Sequence, residues 1–120
     1  MFVNYTNHPS AKWSAEQLAA AAAYGSITDM PFPSVPPDAS EEAVARLAET
    51  EAEKIVALKP AAVLCQGEFT LCYAILNILK KKEIKALAAC STREVTETVQ
   101  PDGTTRRTAV FRFVQYREYK

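Results

Sequence analysis

The chain has 120 residues, a formal net charge of zero and a hydrophobic fraction of 48%. This length and composition predict one soluble globular domain, residues 1–120, with a core of its own. No apolar run is long enough to span a bilayer, and no basic N-terminal region precedes an apolar stretch, so neither a membrane protein nor a signal peptide is expected.

Charge is distributed unevenly along the chain. Residues 1–60 carry four basic and eight acidic side chains, and residues 61–120 carry ten basic and six acidic ones. The second half is therefore weakly electropositive. A strong overall basic excess is lacking, so we expect no binding to long nucleic acids.

The cysteines and the histidine limit the chemistry. Cys65, Cys72 and Cys90 are odd in number and show no CxxC spacing, which favours free thiols in a reducing cytoplasm. His8 is the only histidine, so the chain offers no recognisable metal-ligand spacing. We expect no metal and no other cofactor.

The first part of the chain predicts a strand, a helix and a second strand. Phe2–Tyr5 is a short apolar strand, and Ser14 with Gln17 forms a capping box that opens a helix. This helix continues to about Tyr24, where Gly25 ends it. A short strand from Ile27 to Met30 follows.

A proline-rich loop, residues 31–37, separates this unit from a long helix. Asp38 with Glu41 forms a second capping box, and the helix it opens extends to about Leu58. The continuous apolar run at residues 61–65 predicts a strand that is buried on both faces, as in parallel sheets.

The last part of the chain predicts a helix, a strand and a hairpin. The helix extends from about Phe69 to Lys82, and Ile84–Cys90 forms a fourth apolar strand. Two further strands, Glu94–Gln100 and Arg106–Tyr116, are rich in Thr, Val and aromatic residues. A turn at Pro101–Thr104 joins them into an antiparallel hairpin.

Alternating strands and helices predict an α/β fold: a Rossmann-like parallel sheet with helices on both faces and a C-terminal antiparallel β-hairpin. The expected strand order is 2-1-3-4, with the hairpin beyond strand four. A crevice should open at the carboxyl edge of the sheet, where the strand order reverses.

Polar residues follow the three strands that meet at this edge. They are Asn7, His8, Ser10 and Trp13 after strand one, Gln66, Gly67, Glu68 and Thr70 after strand three, and Ser91, Thr92 and Arg93 after strand four. Their convergence favours a site for a polar ligand.

Several of these residues also have a purely structural interpretation. Asn7 and Ser10 are common turn formers, Gly67 suits a turn in which no side chain fits, and Glu68 is favoured by the helix dipole. Trp13 can stack on a base or act as a hydrophobic plug. Free N–H groups at the helix start could hold an anion, but Glu68 would repel a phosphate and suits a ribose hydroxyl better.

The arrangement resembles the CARF proteins, the CRISPR-associated Rossmann-like sensors of cyclic oligoadenylate. The resemblance lies in the compact core, the Asn7–Ser10 loop, the Gln66–Thr70 turn and the terminal hairpin. The chain has no room for an attached nuclease domain. It therefore resembles the small stand-alone ring nucleases that degrade the cyclic messenger.

This resemblance implies a reaction and a set of roles. In such enzymes a ribose 2′-OH attacks the adjacent phosphate without a metal and gives a 2′,3′-cyclic phosphate. His8 and Arg93 would stabilise charge or transfer a proton, while Asn7 and Ser10 would position phosphate. Gln66, Glu68 and Thr70 would hold ribose or base, and a homodimer would clasp the symmetric ring.

Three alternatives remain open. The same residues suit a sensor or sponge that binds the nucleotide without cleaving it. Cys65 or Cys90 with His8 would suit a cysteine-dependent hydrolase or redox protein. An adaptor would use the hairpin aromatics Phe111, Phe113, Tyr116 and Tyr119 for assembly.

Overall fold

The structure is a computed structural model that describes all of residues 1–120. Its strands are β1 (Phe2–Tyr5), β2 (Ile27–Asp29), β3 (Ala62–Cys65), β4 (Ala86–Val99) and β5 (Thr105–Glu118). Its helices are α1 (Ala15–Ala22), α2 (Glu41–Ala57) and α3 (Phe69–Lys81), and a 3₁₀ turn covers Ser10–Lys12. No helix is both long and apolar enough to cross a membrane.

The five strands form one sheet in the order β2-β1-β3-β4-β5. The first three pairings across this sheet are parallel and the last is antiparallel. The predicted mixed α/β architecture, the parallel order 2-1-3-4 and the terminal antiparallel hairpin are thus confirmed.

The predicted division of the C-terminal strands was wrong. The fourth strand and the first arm of the hairpin are one strand, β4, which pairs with β5 from Leu87 to Val99. The polar residues that follow Cys90 do not interrupt this pairing. Instead, the register shifts between Cys90 and Ser91, because β5 carries one extra residue there, Val114, and such a bulge bends a strand without ending it.

Helices cover both faces of the sheet. On one face α2 and α3 pack against Val3, Tyr5, Val63 and Cys65. On the other face Ala21 of α1 and Trp13, which precedes this helix, pack against Phe2, Leu64 and Leu87. Consecutive residues of a strand point to opposite faces, so Leu64 and Cys65 belong to different cores. This alternation decides which residues can meet in a site.

The helix ends follow their local sequence, with one correction. Ser14 caps α1 by accepting a hydrogen bond from the Gln17 amide, as predicted. The second cap is Ser40, whose hydroxyl accepts from the Ala43 amide, and not Asp38. The chain at Asp38 forms a turn, and the cap of α2 lies two residues later than the predicted capping box placed it.

The distal half of the hairpin projects from the rest of the domain. The molecule measures 56 × 38 × 24 Å and its radius of gyration is 17.4 Å, against about 14 Å for a compact chain of this length. Residues 91–99 and 101–112 are all exposed. Beyond Ser91 the hairpin is therefore a two-stranded ribbon without a helix on either face.

Candidate functional site

A cleft of about 890 Å³ opens on the α1 face of the sheet, at the carboxyl ends of β1 and β3. The loop after β1 and the first turn of α1 form one wall, and the base of the hairpin forms the other. Leu64 and Gln66 contribute from the end of β3. This is the edge of the sheet at which the strand order reverses, where ligands bind in open α/β sheets.

A buried polar network fixes the first wall. The Asn4 side chain is only 1% exposed, and its Nδ2 donates to the His8 carbonyl at 3.0 Å and to Asp29 Oδ1 at 2.9 Å. Thr6 Oγ1 donates to Asn4 Oδ1 at 2.7 Å. Ser10 Oγ donates to Asp29 Oδ2 at 3.1 Å, so its hydroxyl serves this network.

Trp13 closes the base of the same wall. Its ring is 7% exposed and lies edge-on to Phe2, with the ring centroids 6.1 Å apart. Its Nε1 donates to the His8 carbonyl at 3.1 Å. Of the two roles considered for Trp13, stacking on a base or filling the core as a hydrophobic plug, the structure shows the plug. The carbonyl of His8 is held in place while its imidazole is exposed at the cleft.

Gln66 links the two central strands at the floor of the cleft. Its Oε1 accepts a hydrogen bond from the Ala89 amide at 3.0 Å. The β3–β4 backbone pairing covers only Val63–Ala86 and Leu64–Leu87, so this side chain continues the connection beyond the last strand pair. Its amide nitrogen is the group left to meet a ligand.

The start of α3 is not available to an anion. Glu68 caps this helix, and its carboxylate accepts from the amides of Thr70 at 3.1 Å and Leu71 at 2.8 Å. The hydrogen bond from the Leu71 amide, followed by those from the hydroxyl and amide of Thr70, lowers the pKa of Glu68. The N–H groups that could have held a phosphate already bind a carboxylate.

Gly67 is required by a close approach. A Cβ on Gly67 would lie 2.4 Å from the ring of Phe32, which is itself buried. The structural interpretation of this turn is thus confirmed: no side chain fits at Gly67, and Glu68 completes the helix end. Glu68 and Thr70 face a separate groove formed with the proline-rich loop and α2.

The hairpin supplies the second wall. Ser91 of β4 and Phe111, Arg112 and Phe113 of β5 line the cleft. Arg112 Nε and Nη2 contact the Glu94 carboxylate at 3.2 and 3.3 Å, a two-point geometry that orients the guanidinium. Phe111 remains 70% exposed.

The structure thus brings together part of the predicted set. The residues that line the cleft are Asn7, His8, Trp13, Gln66 and Ser91. Those outside its lining are Ser10, Gly67, Glu68, Thr70, Thr92 and Arg93. The Ser10 hydroxyl is bound to Asp29, and Glu68 and Thr70 line the other groove. Arg93 pairs with Phe111 across the ribbon but does not itself line the cleft.

Lys12, Phe111 and Arg112 are among the lining residues that sequence reasoning did not place at this site. Lys12 lies in the 3₁₀ turn, which no motif indicated. Phe111 and Arg112 lie on the long strand β5. The part of β5 around these residues reaches the cleft only because β4 continues past the bulge and pairs with it. The alternation of aromatic residues at positions 111 and 113 was the available signal.

The charged groups of the cleft are nearly balanced. Lys12 is its unpaired cation, His8 contributes an imidazole, and Glu16 is the one acidic residue of the lining, while the Arg112 guanidinium is already paired with Glu94. No group of three or more His, Cys, Asp or Glu side chains comes close enough to hold a metal. The chemistry of the cleft is therefore that of cations, amides and exposed aromatic rings.

Cys65 lies away from His8. The Cys65 side chain is fully buried among Tyr5, Val63 and Leu71, on the face covered by α2 and α3. His8 lies on the opposite face. The sheet separates the two residues, so the structure provides no Cys65–His8 pair.

Comparison with known proteins gives one result. No curated protein and no solved structure shows significant similarity to the chain. A family model described as "Uncharacterized protein MJ1673 family" matches residues 1–117. Since this match covers nearly the whole domain, the chain belongs to the MJ1673 family.

Proposed function

We propose that the cleft binds a cyclic oligoadenylate. The observation that carries the proposal is the exposed Phe111 ring on a cleft that also presents the cation of Lys12. A nucleotide combines a flat base with a charged phosphate, and aromatic rings beside cations recognise that combination. The resemblance to stand-alone CARF proteins supplies the cyclic adenylate as the specific ligand.

Each wall then has a role in binding. Phe111 stacks on a base, and Lys12 contacts phosphate from the opposite wall. The free amide nitrogen of Gln66, the hydroxyl of Ser91 and the amide of Asn7 donate hydrogen bonds to ribose or base. The network around Asn4 holds the first wall rigid, which limits the entropy lost on binding.

We propose cleavage as a second property of the same site. His8 carries the one imidazole of the lining, a group that can accept and donate a proton, so it is suited to move a proton during attack by a ribose 2′-OH. Lys12 replaces Arg93 as the proposed stabiliser of charge on the phosphate, since Arg93 lies outside the cleft lining. The products would be linear and would end in a 2′,3′-cyclic phosphate.

A non-catalytic sensor or sponge is the second candidate. It is favoured by the exposed position of the His8 imidazole, which has no hydrogen-bonded group to orient it. Proton-transfer residues are usually held by such a partner. In either case the chain would act in CRISPR antiviral signalling in the cytoplasm.

We also propose that the protein is a homodimer. The ribbon beyond Ser91 exposes Val95, Val99, Val110 and Phe111 to solvent. An isolated two-stranded hairpin is marginally stable in water, so a second copy that covers this ribbon would stabilise it. Light scattering at several protein concentrations measures the mass, and a monomer at all of them would contradict this proposal.

The binding experiment uses purified protein and cyclic oligoadenylates of several ring sizes. Phe111→Ala should weaken binding about 5- to 150-fold, because one base–aromatic stack contributes about 1–3 kcal/mol. Phe69→Ala is the matched control, because Phe69 is 90% exposed and lies outside the cleft. If no ring size binds, the proposal is wrong.

The cleavage experiment separates the enzyme from the sensor. Products are analysed by chromatography and mass spectrometry at excess protein. The enzyme predicts linear products for the native protein, and binding without products for His8→Ala. If the native protein binds the ring and returns it intact, the sensor interpretation is the correct one.

A further inference from the structure

Two of the three cysteines lie in direct contact. Cys65 is the last residue of β3, and Cys72 lies in the first turns of α3. Their Sγ atoms are 3.6 Å apart, and Cys72 Sγ also lies 3.6 Å from the Cys65 carbonyl oxygen. Cys90 is half-buried and forms no hydrogen bond with either of them. The short turn Gln66–Glu68 and the first residues of α3 hold the two thiols together.

We propose that Cys65 and Cys72 form a reversible dithiol–disulfide pair that is oxidised by peroxides. A disulfide has a sulfur–sulfur distance of about 2.05 Å, so the two sulfurs need to approach by about 1.5 Å. The bond would close a loop that contains Gln66, Gly67 and Glu68. The change that it requires is confined to the turn between β3 and α3.

The surroundings assign a different role to each cysteine. Cys72 is 7% exposed and Cys65 is fully buried, so a small oxidant reaches Cys72 first. The hydrogen bond from the Cys65 thiol, together with that from the Gly67 amide, lowers the pKa of Cys72. The same contact with Cys72, together with burial, raises the pKa of Cys65. Because Cys72 is the more exposed of the two, it is the attacking thiol, and Cys65 is the resolving thiol.

The reaction with hydrogen peroxide balances in two steps. The Cys72 thiolate attacks one peroxide oxygen, the O–O bond breaks, and the departing hydroxide takes up a proton to give water and a Cys72 sulfenic acid. The Cys65 sulfur then attacks the Cys72 sulfur and displaces the hydroxyl as a second water. The two thiols lose two electrons, and the peroxide gains them.

Tyr119 covers this pair from the C-terminal end. Its hydroxyl donates to the Cys65 carbonyl at 3.0 Å, and its ring is 39% exposed. Its amide donates to the Ala86 carbonyl at 2.9 Å, which anchors the tail across the end of the sheet. A peroxide molecule that approaches Cys72 from this side must pass this ring.

The test is a thiol count and a disulfide map of the full-length native protein. Reduced protein contains three free thiols, and treatment with hydrogen peroxide should leave one, on Cys90. Proteolysis and mass spectrometry should give a single Cys65–Cys72 link that dithiothreitol removes. The proposal is overturned if Cys90 is oxidised while Cys65 and Cys72 remain reduced, or if the only disulfides join separate chains.

Two variants check the assigned roles. Cys90→Ser should still lose two thiols, which makes it the matched control. Cys65→Ala should stop at a sulfenic acid on Cys72, which dimedone traps. Circular dichroism reports whether the Cys65→Ala variant folds. If this variant does not fold, the disulfide map of the native protein still tests whether Cys65 and Cys72 form a disulfide. A Cys65→Ala protein that is folded but untouched at Cys72 contradicts the order of reaction.

Discussion

Removal of one buried hydroxyl group should destabilise the domain strongly. Tyr5 is fully buried at the end of β1, and its hydroxyl donates to Glu51 Oε1 at 2.8 Å. The second carboxylate oxygen of Glu51 accepts from Lys54 Nζ at 2.7 Å. This contact connects the sheet to α2. Tyr5→Phe removes only the hydroxyl and keeps the ring that packs 5.1 Å from Phe32.

The magnitude follows from the burial of Glu51, which is 7% exposed. Without the hydroxyl its Oε1 atom faces the core with no donor. A hydrogen bond to a charged group contributes about 1.5–3 kcal/mol to stability. We expect Tyr5→Phe to reduce the free energy of unfolding by this amount and, for a domain of this size, to lower Tm by roughly 5–15 °C.

The assay is urea unfolding followed by circular dichroism and by the fluorescence of Trp13, the only tryptophan. Tyr116→Phe is the matched control, because its hydroxyl donates to the Gln17 carbonyl at 3.3 Å and that bond is neutral and longer. We expect it to cost about 0.5–1 kcal/mol. A Tyr5→Phe variant within about 0.5 kcal/mol of the native protein, or no worse than Tyr116→Phe, would refute the reasoning.

Three further predictions concern the turns that open the helices. Gly67→Ala should lower the free energy of unfolding in urea by about 1–3 kcal/mol, because the new methyl group overlaps the Phe32 ring. This loss should be smaller in a Phe32→Ala background, and equal losses in both backgrounds would contradict the contact. Ser40→Ala should lower the free energy of unfolding by about 1 kcal/mol and Asp38→Ala by much less, since only Ser40 caps α2. A larger loss for Asp38→Ala than for Ser40→Ala would instead support the capping box predicted from the sequence. The lowered pKa of Glu68 means that its ionised form stabilises the fold above the ordinary glutamate pKa of about 4.3, and that this contribution is lost as the pH falls. The Tm difference between the native protein and Glu68→Gln should therefore be largest near neutral pH and shrink below about pH 4; a difference that grows in acid would contradict the cap.

Local sequence signals predicted the elements well because they act over a few residues. The Ser14 cap, the apolar run at residues 61–65 and the turn at Pro101–Thr104 each depend on neighbours in the chain, and each is present. Strand–helix alternation then restricted the sheet to the parallel order that the structure shows. The extent of β4 could not be inferred in this way, because a bulge and a strand break leave similar local patterns.

The members of the site were harder to predict than its place. The carboxyl edge of the sheet followed from topology, and Asn7, His8, Gln66 and Ser91 do meet there. The contributions of Lys12 and Arg112 depend on a 3₁₀ turn and on the length of the hairpin. Glu68 was correctly placed at the start of α3, but only its hydrogen bonds show that it occupies the amides an anion would need.

The amino-acid sequence was enough to predict the order of strands and helices and the edge of the sheet at which the cleft opens. Both follow from hydrophobic periodicity, caps and chain direction, which are local properties. The tertiary structure decided which side chains share a face. Gln66 enters the cleft while Cys65, one residue earlier, lies across the sheet against Cys72. That division arises because successive residues of a strand point to opposite faces, and only packing fixes what each face meets.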